Sequence, residues 1–527
     1  THSSEIKIHC GTLQRKAIET SRGESLNLSI DKGHSLMVKG APNLPSFSFS
    51  VQLPNHASGR VEIIDATFEE VNTTLITPSK GNISRDINPS SIPFTFGNEY
   101  QQNQFYPTTI TAIQAPYIFR DFAGQSIQVF PVQYNPIQNK LRIYSDITLK
   151  VIYDQAPVNE HEQLSKEPVS LNEDFANIYA NHFLNFSKKN TRYTPSIETG
   201  KMLILCPSSY LNSLKPFIEW KQRKGIQTIV VKTDTISGGA SETNLKNFVA
   251  SKYTELHFAY LLLVGDNMNI PPQNEFYSLP NLAGPSDIAY AYVSGNDHYP
   301  EFCVGRFSVE NTSELDVQVA KVLHYEKTPN TAGNWMQTQI GVASEEGPGD
   351  DNQYDFEHIG VIVDSNKAMN LFSNQSELFD GNVSNGTYDA AGDPTAQMLA
   401  DKINAGASLI NYTGHGSAYG IVTTQFGNSE VSLLTNNDKL PFFLTVGCSP
   451  GQFGGQTCFA ENLQRAGSST TPYGSIANFM SSINQYWDEP MEAQDEFNAI
   501  LRGAKPSNLK HRLGPLCVDA CAQMNDA

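Results

Sequence analysis

Two different spacings of apolar residues divide this chain. Up to about residue 160, apolar and polar positions alternate with period two. The alternation runs through "SLNLSI", "SFSFSVQL", "VEIIDATF", "QSIQVFPVQY" and "KLRIYSDITLKVIY". Loops with Pro, Gly, Asn and Ser separate these runs, which predicts an all-β sandwich or jelly-roll-like unit. A long polar loop, "TPSKGNISRDINPSSIP" (77–93), interrupts it. Residues 155–198 are polar, with a helical patch around "NEDFANIYANHFLNF", and end in "SKKNTRYTPSIETG", which reads as an exposed linker.

The pattern changes at about residue 200. Continuous apolar runs of strand length ("KMLILC", "FAYLLLVGD", "TQIGVAS", "ASLINYTGHG", "LPFFLTVGC") alternate with amphipathic helical stretches such as "SYLNSLKPFIEWKQRKG" and "SETNLKNFVASKYTEL". Ser241 is placed to cap the second of these helices. Such alternation predicts largely parallel sheets covered by helices on both faces. Ligands of such sheets bind beyond the carboxyl ends of the strands. His415, between two glycines, falls just past one predicted strand end, and Cys448 just past another.

Length and charge narrow the classes. A chain of 527 residues exceeds what one hydrophobic core usually serves, so several domains are expected. Its 39% hydrophobic and 17% charged residues are ordinary for a globular protein. The formal net charge of -18 repels phosphate backbones, so nucleic acid is not an expected partner. It suits solvated surfaces and also calcium-binding loops. No apolar stretch is long enough to span a bilayer, and "THSSEIKIHC" does not read as a signal peptide. The seven cysteines are scattered and odd in number, which is not a disulfide framework. Cys517 and Cys521 lack a second Cys/His pair at zinc-like spacing.

A cysteine and a histidine on two strand ends of one sheet form a candidate nucleophile and base. The imidazole takes the thiol proton, and the thiolate attacks an acyl carbon. The resulting oxyanion needs preorganised N–H donors. Gly416 has no side chain to block its N–H, and the N–H of Cys448 is the natural second donor. Taken alone, a strand-end cysteine is more often a small buried hydrophobe, and a histidine beside glycine is often a turn residue.

Longer motifs carry a family resemblance. "NYTGHGSAYG", "LPFFLTVGCSPGQF", "CFAENLQRAG" and "INQYWDEPMEAQDEFNAIL" resemble the catalytic segments of the gingipains, the C25 cysteine endopeptidases. "LLLVGDNMNIP", "GNDHYPEFCVGRFS" and "LHYEK" match upstream, so the likeness runs from about 199 to 520. It implies a caspase-like α/β catalytic domain, with Cys448 as nucleophile and His415 as general base and acid. "VASEEGPGDD" resembles the segment whose acid orients the histidine, which implies Glu346, with Glu345 adjacent. "NQYDFEHIGVI" resembles the Arg-type segment carrying the S1 aspartate, which implies Asp355. Trp487 and Met491 then wall the S1 pocket, together with Gln485. The chain departs from the expected pattern at Tyr486, where a smaller residue is anticipated.

The β-rich half resembles the gingipain pro-domain, best in "YIFRDFAGQSIQVFPVQYNP", and "NTRYTPS" resembles the maturation site. The resemblance implies cleavage between Arg192 and Tyr193, which an Arg-specific enzyme performs on itself. It also implies that a pro-domain arginine blocks S1, either Arg85 in the 77–93 loop or Arg120. The expected organisation is a pro-domain with linker over 1–192 and catalytic subdomains over 193–327 and 328–527, the last truncated at its C-terminus.

The family binds calcium, and Asp266 and Asp297 match segments near such a site. No organic cofactor is expected. The expected partners are protein and peptide substrates and the chain's own pro-domain, and the expected location is secreted or on a bacterial surface. The competing expectations are a Lys-specific or mixed-specificity relative, and a catalytically silent adhesin.

Overall fold

The structure is a computed structural model that describes residues 3–54, 57–155, 168, 170–187, 196–276, 283–381, 388–505 and 512–526. The period-two segments form two larger antiparallel sheets and a two-stranded pair, Leu13–Thr20 with Gly23–Ile30. In the first, the 16-residue strand Lys140–Gln155 is flanked by Ser3–His9 and by Ala57–Asn72 and Val132–Asn135. In the second, Phe122–Val129 pairs with Pro45–Leu53, Thr111–Ile113 and Tyr117–Phe119. Val51, Ile127 and Val129 of one sheet share a core with Ile147, Leu149 and Val151 of the other. Inward-facing alternate residues from two sheets therefore meet as a sandwich, as the spacing predicts.

Helices and parallel strands follow from residue 201. We label them β1 (Lys201–Cys206), β2 (Gln227–Lys232), β3 (Tyr260–Val264), β4 (Cys303–Phe307), β5 (Thr338–Ala343), β6 (Asn374–Phe379), β7 (Leu409–Thr413), β8 (Phe442–Val446) and β9 (Ala477–Phe479). Two all-parallel sheets result, ordered β2-β1-β3-β4 and β6-β5-β7-β8-β9. The central strands β7 and β8 are buried end to end, and β3 all but its first residue, because helices cover both faces. The relevant helices are α1 (Glu242–Leu256), capped by Ser241 as expected, α2 (Asp355–Ala368), α3 (Glu489–Leu501) and α4 (Leu513–Asp526).

The two halves are packed into one body. The short strand Ser170–Asn172 pairs in parallel with Ser196–Glu198, and a helix over Glu173–His182 follows. Its Phe175, Tyr179 and Phe183 share a core with Tyr117, Phe119 and Phe122 of the sandwich, Tyr299 and Cys303 of the catalytic half, and Val518 and Ala522 of α4. The Tyr299 hydroxyl donates to Asp526 at 2.6 Å, and its ring stacks on Tyr117 with centroids 3.6 Å apart. All seven cysteines are free. Among the described residues, no helix is long and apolar enough to cross a membrane.

Candidate active site

Three neighbouring parallel strands deliver the candidate catalytic groups to one edge. Thr413 ends β7 opposite Val446 at the end of β8, so His415 and Cys448 each lie two residues past paired strand ends. Glu346 follows the end of β5, whose Ala343 is paired with Thr413. His415 Nε2 lies 2.8 Å from Glu346 Oε2. That contact belongs to Glu346, while Glu345 packs beside Gly381. The Tyr412 hydroxyl donates to the carbonyl of His415 at 2.5 Å and so fixes the turn carrying the imidazole.

Gly416 is required by space rather than by φ. A Cβ there would lie 2.8 Å from the carbonyl oxygen of Cys448 and 3.3 Å from its nitrogen. The histidine turn and the nucleophile turn thus touch through bare backbone. Ser449, directly after the nucleophile, adopts φ 67, a left-handed conformation that costs energy in a non-glycine residue. The chain reverses sharply there, and the Ser449 N–H donates to the Ile483 carbonyl. Cys448 is buried, and burial pushes its thiol above the ordinary value. The backbone contact to Gln485 and the charge of Arg85 oppose that rise, whereas Asp86 adds to it.

The pocket beside the thiol is occupied by the chain itself. The guanidinium of Arg85 donates Nη1 to Asp355 Oδ2 at 3.0 Å and Nη2 to Asp355 Oδ1 at 2.9 Å. Both side chains are 0% exposed. Burying two charges costs several kcal/mol per ion unless the pairing is well aligned, on the order of what a two-point fork recovers. Ser344 adds a hydroxyl donor to Asp355 Oδ2 at 2.6 Å. The Arg85 guanidinium also lies 4.2 Å from the ring centroid of Trp487, a cation–π contact of about 0.5–2 kcal/mol. Met491 is fully buried, and a Cβ on Gly349 would strike both its sulfur and Trp487.

Backbone pairing accompanies the side chain. Ser84 and Tyr486 form an antiparallel bridge. The Arg85 N–H donates to the Gln485 carbonyl at 2.7 Å, and the Trp487 N–H to the Ile83 carbonyl at 3.1 Å. Tyr486 therefore lies opposite the residue preceding Arg85. The Gln485 side chain is turned elsewhere and accepts from the Gly447 N–H at 2.7 Å. The Trp487 indole N–H donates to the Ile87 carbonyl at 2.9 Å.

Arg120, the other candidate for this pocket, lies elsewhere. Its guanidinium donates to the carbonyls of Phe258, Glu301 and His257 and sits beside Asp121, a buried clamp between the sandwich and the first parallel sheet. Arg192 and Tyr193 lie outside the described residues.

The calcium candidates separate. Asp266 accepts from the N–H groups of Met268 and Asn269, which is a turn cap. Asp297 is spent on the N–H groups of Ile118 and Tyr299, the first of these reaching across from the sandwich. Among the described residues, neither joins a cluster of three metal-ligating groups. Burial raises the Asp297 carboxyl to about 6 and pushes Glu301 well up, with Asp297 contributing. Glu301 Oε1 is buried without a hydrogen-bond partner. Both Asp297 oxygens accept backbone N–H groups, and Glu301 Oε2 accepts those of Val293 and Ser294, so of these two carboxyls only Glu301 Oε1 is left over.

Thiol, imidazole and carboxylate on adjacent strand ends, facing a pocket filled by a second β-rich unit, define a cysteine endopeptidase carrying its own propeptide. The family models agree. Peptidase family C25 matches residues 196–527, and the C25 propeptide matches residues 1–191. The chain belongs to peptidase family C25. Gingipain R2 of Porphyromonas gingivalis is 34% identical over 533 residues, covering 99% of this chain and 69% of its own length. Gingipain R1 of Porphyromonas gingivalis is 33% identical, with 99% of this chain and 51% of its own length covered. Lys-gingipain of that organism is 25% identical, with 93% and 28% covered. Among solved structures, the Arg-specific cysteine proteinase gingipain R matches with a TM-score of 0.56 and 32% identity over 62% of this chain and 75% of that one. The complex of the pro- and mature domains of Porphyromonas gingivalis RgpB gives 0.55 and 31% over 62% and 77%. The fold is that caspase-like α/β architecture behind a strand-rich propeptide. The family match together with the Cys448, His415 and Glu346 set supports a cysteine endopeptidase over a catalytically silent adhesin.

Ser344, Tyr412 and Ser449 had no local signal in the sequence. Ser and Tyr are common strand and turn residues, and only the strand pairing shows what they hold.

Proposed function

We propose that this chain is the latent form of an endopeptidase that cuts after arginine. The observation that carries the reading is the forked, fully buried pair of Arg85 and Asp355. A guanidinium presents two parallel N–H groups to a carboxylate, which an ammonium cannot match. The specificity-determining group is then Asp355, with the Trp487 face and Met491 as apolar walls against the arginine stem.

In the reaction, His415 takes the thiol proton and the Cys448 thiolate attacks the carbonyl carbon of the substrate arginine. Glu346 holds the imidazole and stabilises its charged form. The N–H groups of Gly416 and Cys448 receive the oxyanion. The protonated His415 then gives its proton to the leaving amine, and water hydrolyses the thioester.

On this reading residues 1–192 are the inhibitory pro-domain with its linker, and 193–327 and 328–527 are the two catalytic subdomains. Arg192–Tyr193 is the bond the enzyme cuts in itself. The mature protease acts outside the cell or on its surface, an assignment that rests on the family resemblance. By the family resemblance, Asp266 and Asp297 are the calcium candidates, and a bound ion would stabilise the first subdomain. Excess calcium should therefore raise the melting temperature relative to EDTA, and Asp297→Asn should shrink that difference.

The decisive experiment offers matured chain three matched reporter peptides ending in Arg, Lys or Asn, beside Cys448→Ala. Turnover of Arg alone supports the reading. Preference for Lys would mean that Asp355 does not set the specificity, and a product starting elsewhere than Tyr193 would remove self-processing.

A further inference from the structure

Upstream of S1 the catalytic half presents a second acid to the same path. Ser84 pairs with Tyr486, and the Trp487 N–H donates to the Ile83 carbonyl, so the antiparallel register brings Asn82 level with Asp488 and Glu489. There the Asn82 side-chain amide donates to Glu489 Oε1. Asn82 stands three positions before Arg85. Glu489 Oε2 is buried and has no hydrogen-bond partner. Burial pushes the Glu489 carboxyl up, against the lowering by its own backbone N–H and by Asn82. Burial also lifts Asp488, to about 7, with Glu489 adding to the rise.

Acids in the first turn of a helix suit its macrodipole, which accounts for their place at the start of α3. It does not account for a buried carboxylate oxygen left bare, which costs free energy until a donor meets it. The two cations of the 77–93 loop do not supply that donor. The Lys80 ammonium donates to the Pro89 carbonyl, and Arg85 is held by Asp355. A lysine or arginine in the place of Asn82 would bring both the donors and the charge that Glu489 lacks. The chain's own sequence has that spacing elsewhere: three positions before Arg192 stands Lys189.

We propose that Glu489 forms a second specificity site, an S4 subsite that selects a basic residue three positions before the scissile arginine. This rests on the Arg-specific reading above and deepens it, because the preferred substrates are then segments with Lys or Arg, two further residues, and the arginine that is cut. In the latent chain Asn82 holds the subsite with a neutral amide and satisfies one of its two oxygens.

The test gives matured chain reporter peptides of the form Xaa-Asn-Thr-Arg, the order found at 189–192, with Lys, norleucine or Glu as the first residue. Norleucine keeps the apolar stem of lysine and lacks the ammonium. The Lys peptide should exceed the norleucine peptide in kcat/KM on the order of 10-fold, as one charge-assisted hydrogen bond provides. The Glu peptide should be the poorest, because like charges meet. Glu489→Gln should bring the ratio of Lys to norleucine close to one, and Glu489→Lys should put the Glu peptide first. Equal turnover of the three peptides by the wild type would overturn the proposal. So would a Lys preference that survives in Glu489→Gln, since the selection would then belong to another group. Failure of all three peptides while a reporter ending in Lys is cut would instead overturn the Arg-specific reading. If neither substituted chain folds, the wild-type ranking of the three peptides still decides.

Discussion

Arg85 and Asp355, 270 residues apart, form a two-point ion pair with no solvent exposure between the two halves of one chain. Removing one partner of a buried pair leaves the other charge uncompensated, at a cost of about 3–5 kcal/mol. Arg85→Ala should therefore loosen the propeptide and expose S1. In a chain kept uncut by Arg192→Ala, the Arg85→Ala variant should turn over an Arg reporter where the parent is silent. Unchanged latency would show that the pair is not what blocks the enzyme.

Glu346 touches His415 but not the thiol, so its contribution acts through the ring. Glu346→Gln keeps a hydrogen-bonding partner 2.8 Å from the His415 ring and removes the carboxylate charge. Activity of the mature chain should fall by roughly 10²-fold in kcat with little change in KM, less than the loss in Cys448→Ala. Glu346→Asp is the sharper comparison, because it keeps the carboxylate and should retain more kcat than Glu346→Gln if the charge orients the ring. Equal losses in the two variants would relocate the orienting acid.

Burial holds the Cys448 thiol above its ordinary value in the latent chain, outweighing the lowering by the Gln485 backbone and by Arg85, with a smaller rise from Asp86. A raised thiol pKa favours the protonated form, so at any given pH less thiolate is present than in an unperturbed cysteine. Iodoacetamide reacts with the thiolate. The pH of half-maximal alkylation should thus be higher in the Arg192→Ala latent chain than in the matured enzyme. Asp86→Asn should lower it in the latent chain. Superimposable profiles for latent and mature forms would show that the propeptide leaves the thiol's titration alone.

Much of the architecture was readable as spacing. Period two marked the sandwich, and apolar runs between amphipathic helices marked the parallel sheets, because burial on one face or two leaves different patterns. His415 and Cys448 were readable as strand-end residues, and the register of Thr413 with Val446 is the reason that reading holds. Contacts between halves left no such trace. Asp297 resembled a metal ligand in its segment, yet one of its oxygens accepts the Ile118 N–H of the sandwich. Arg85 was preferred to Arg120 only for its place in the long polar loop 77–93. One lies in a polar loop free to reach across the cleft; the other, at φ 51 between two paired strands, is drawn into a ring of carbonyls. No local pattern encodes which buried acceptor an arginine will find.

Gly416 offers the most direct test of the backbone arrangement at the reaction centre. Its φ is not of the kind only glycine adopts, so alanine carries no conformational penalty there; the obstacle is the Cys448 backbone, 2.8 Å from the added Cβ. A side chain contact with backbone cannot be relieved by a rotamer change, so Gly416→Ala must push the histidine turn and the nucleophile turn apart. On the proposed mechanism, the Gly416 N–H then leaves the position where it would face the developing oxyanion. Loss of one such donor lowers kcat by about 10²–10³-fold. Binding of an aldehyde inhibitor ending in arginine, which forms a tetrahedral adduct with the thiol, should weaken in parallel, while affinity for a non-reacting arginine amide should stay nearly constant because Asp355 and Trp487 are untouched. Wild-type kcat in a folded Gly416→Ala enzyme would mean that the oxyanion is held by other donors.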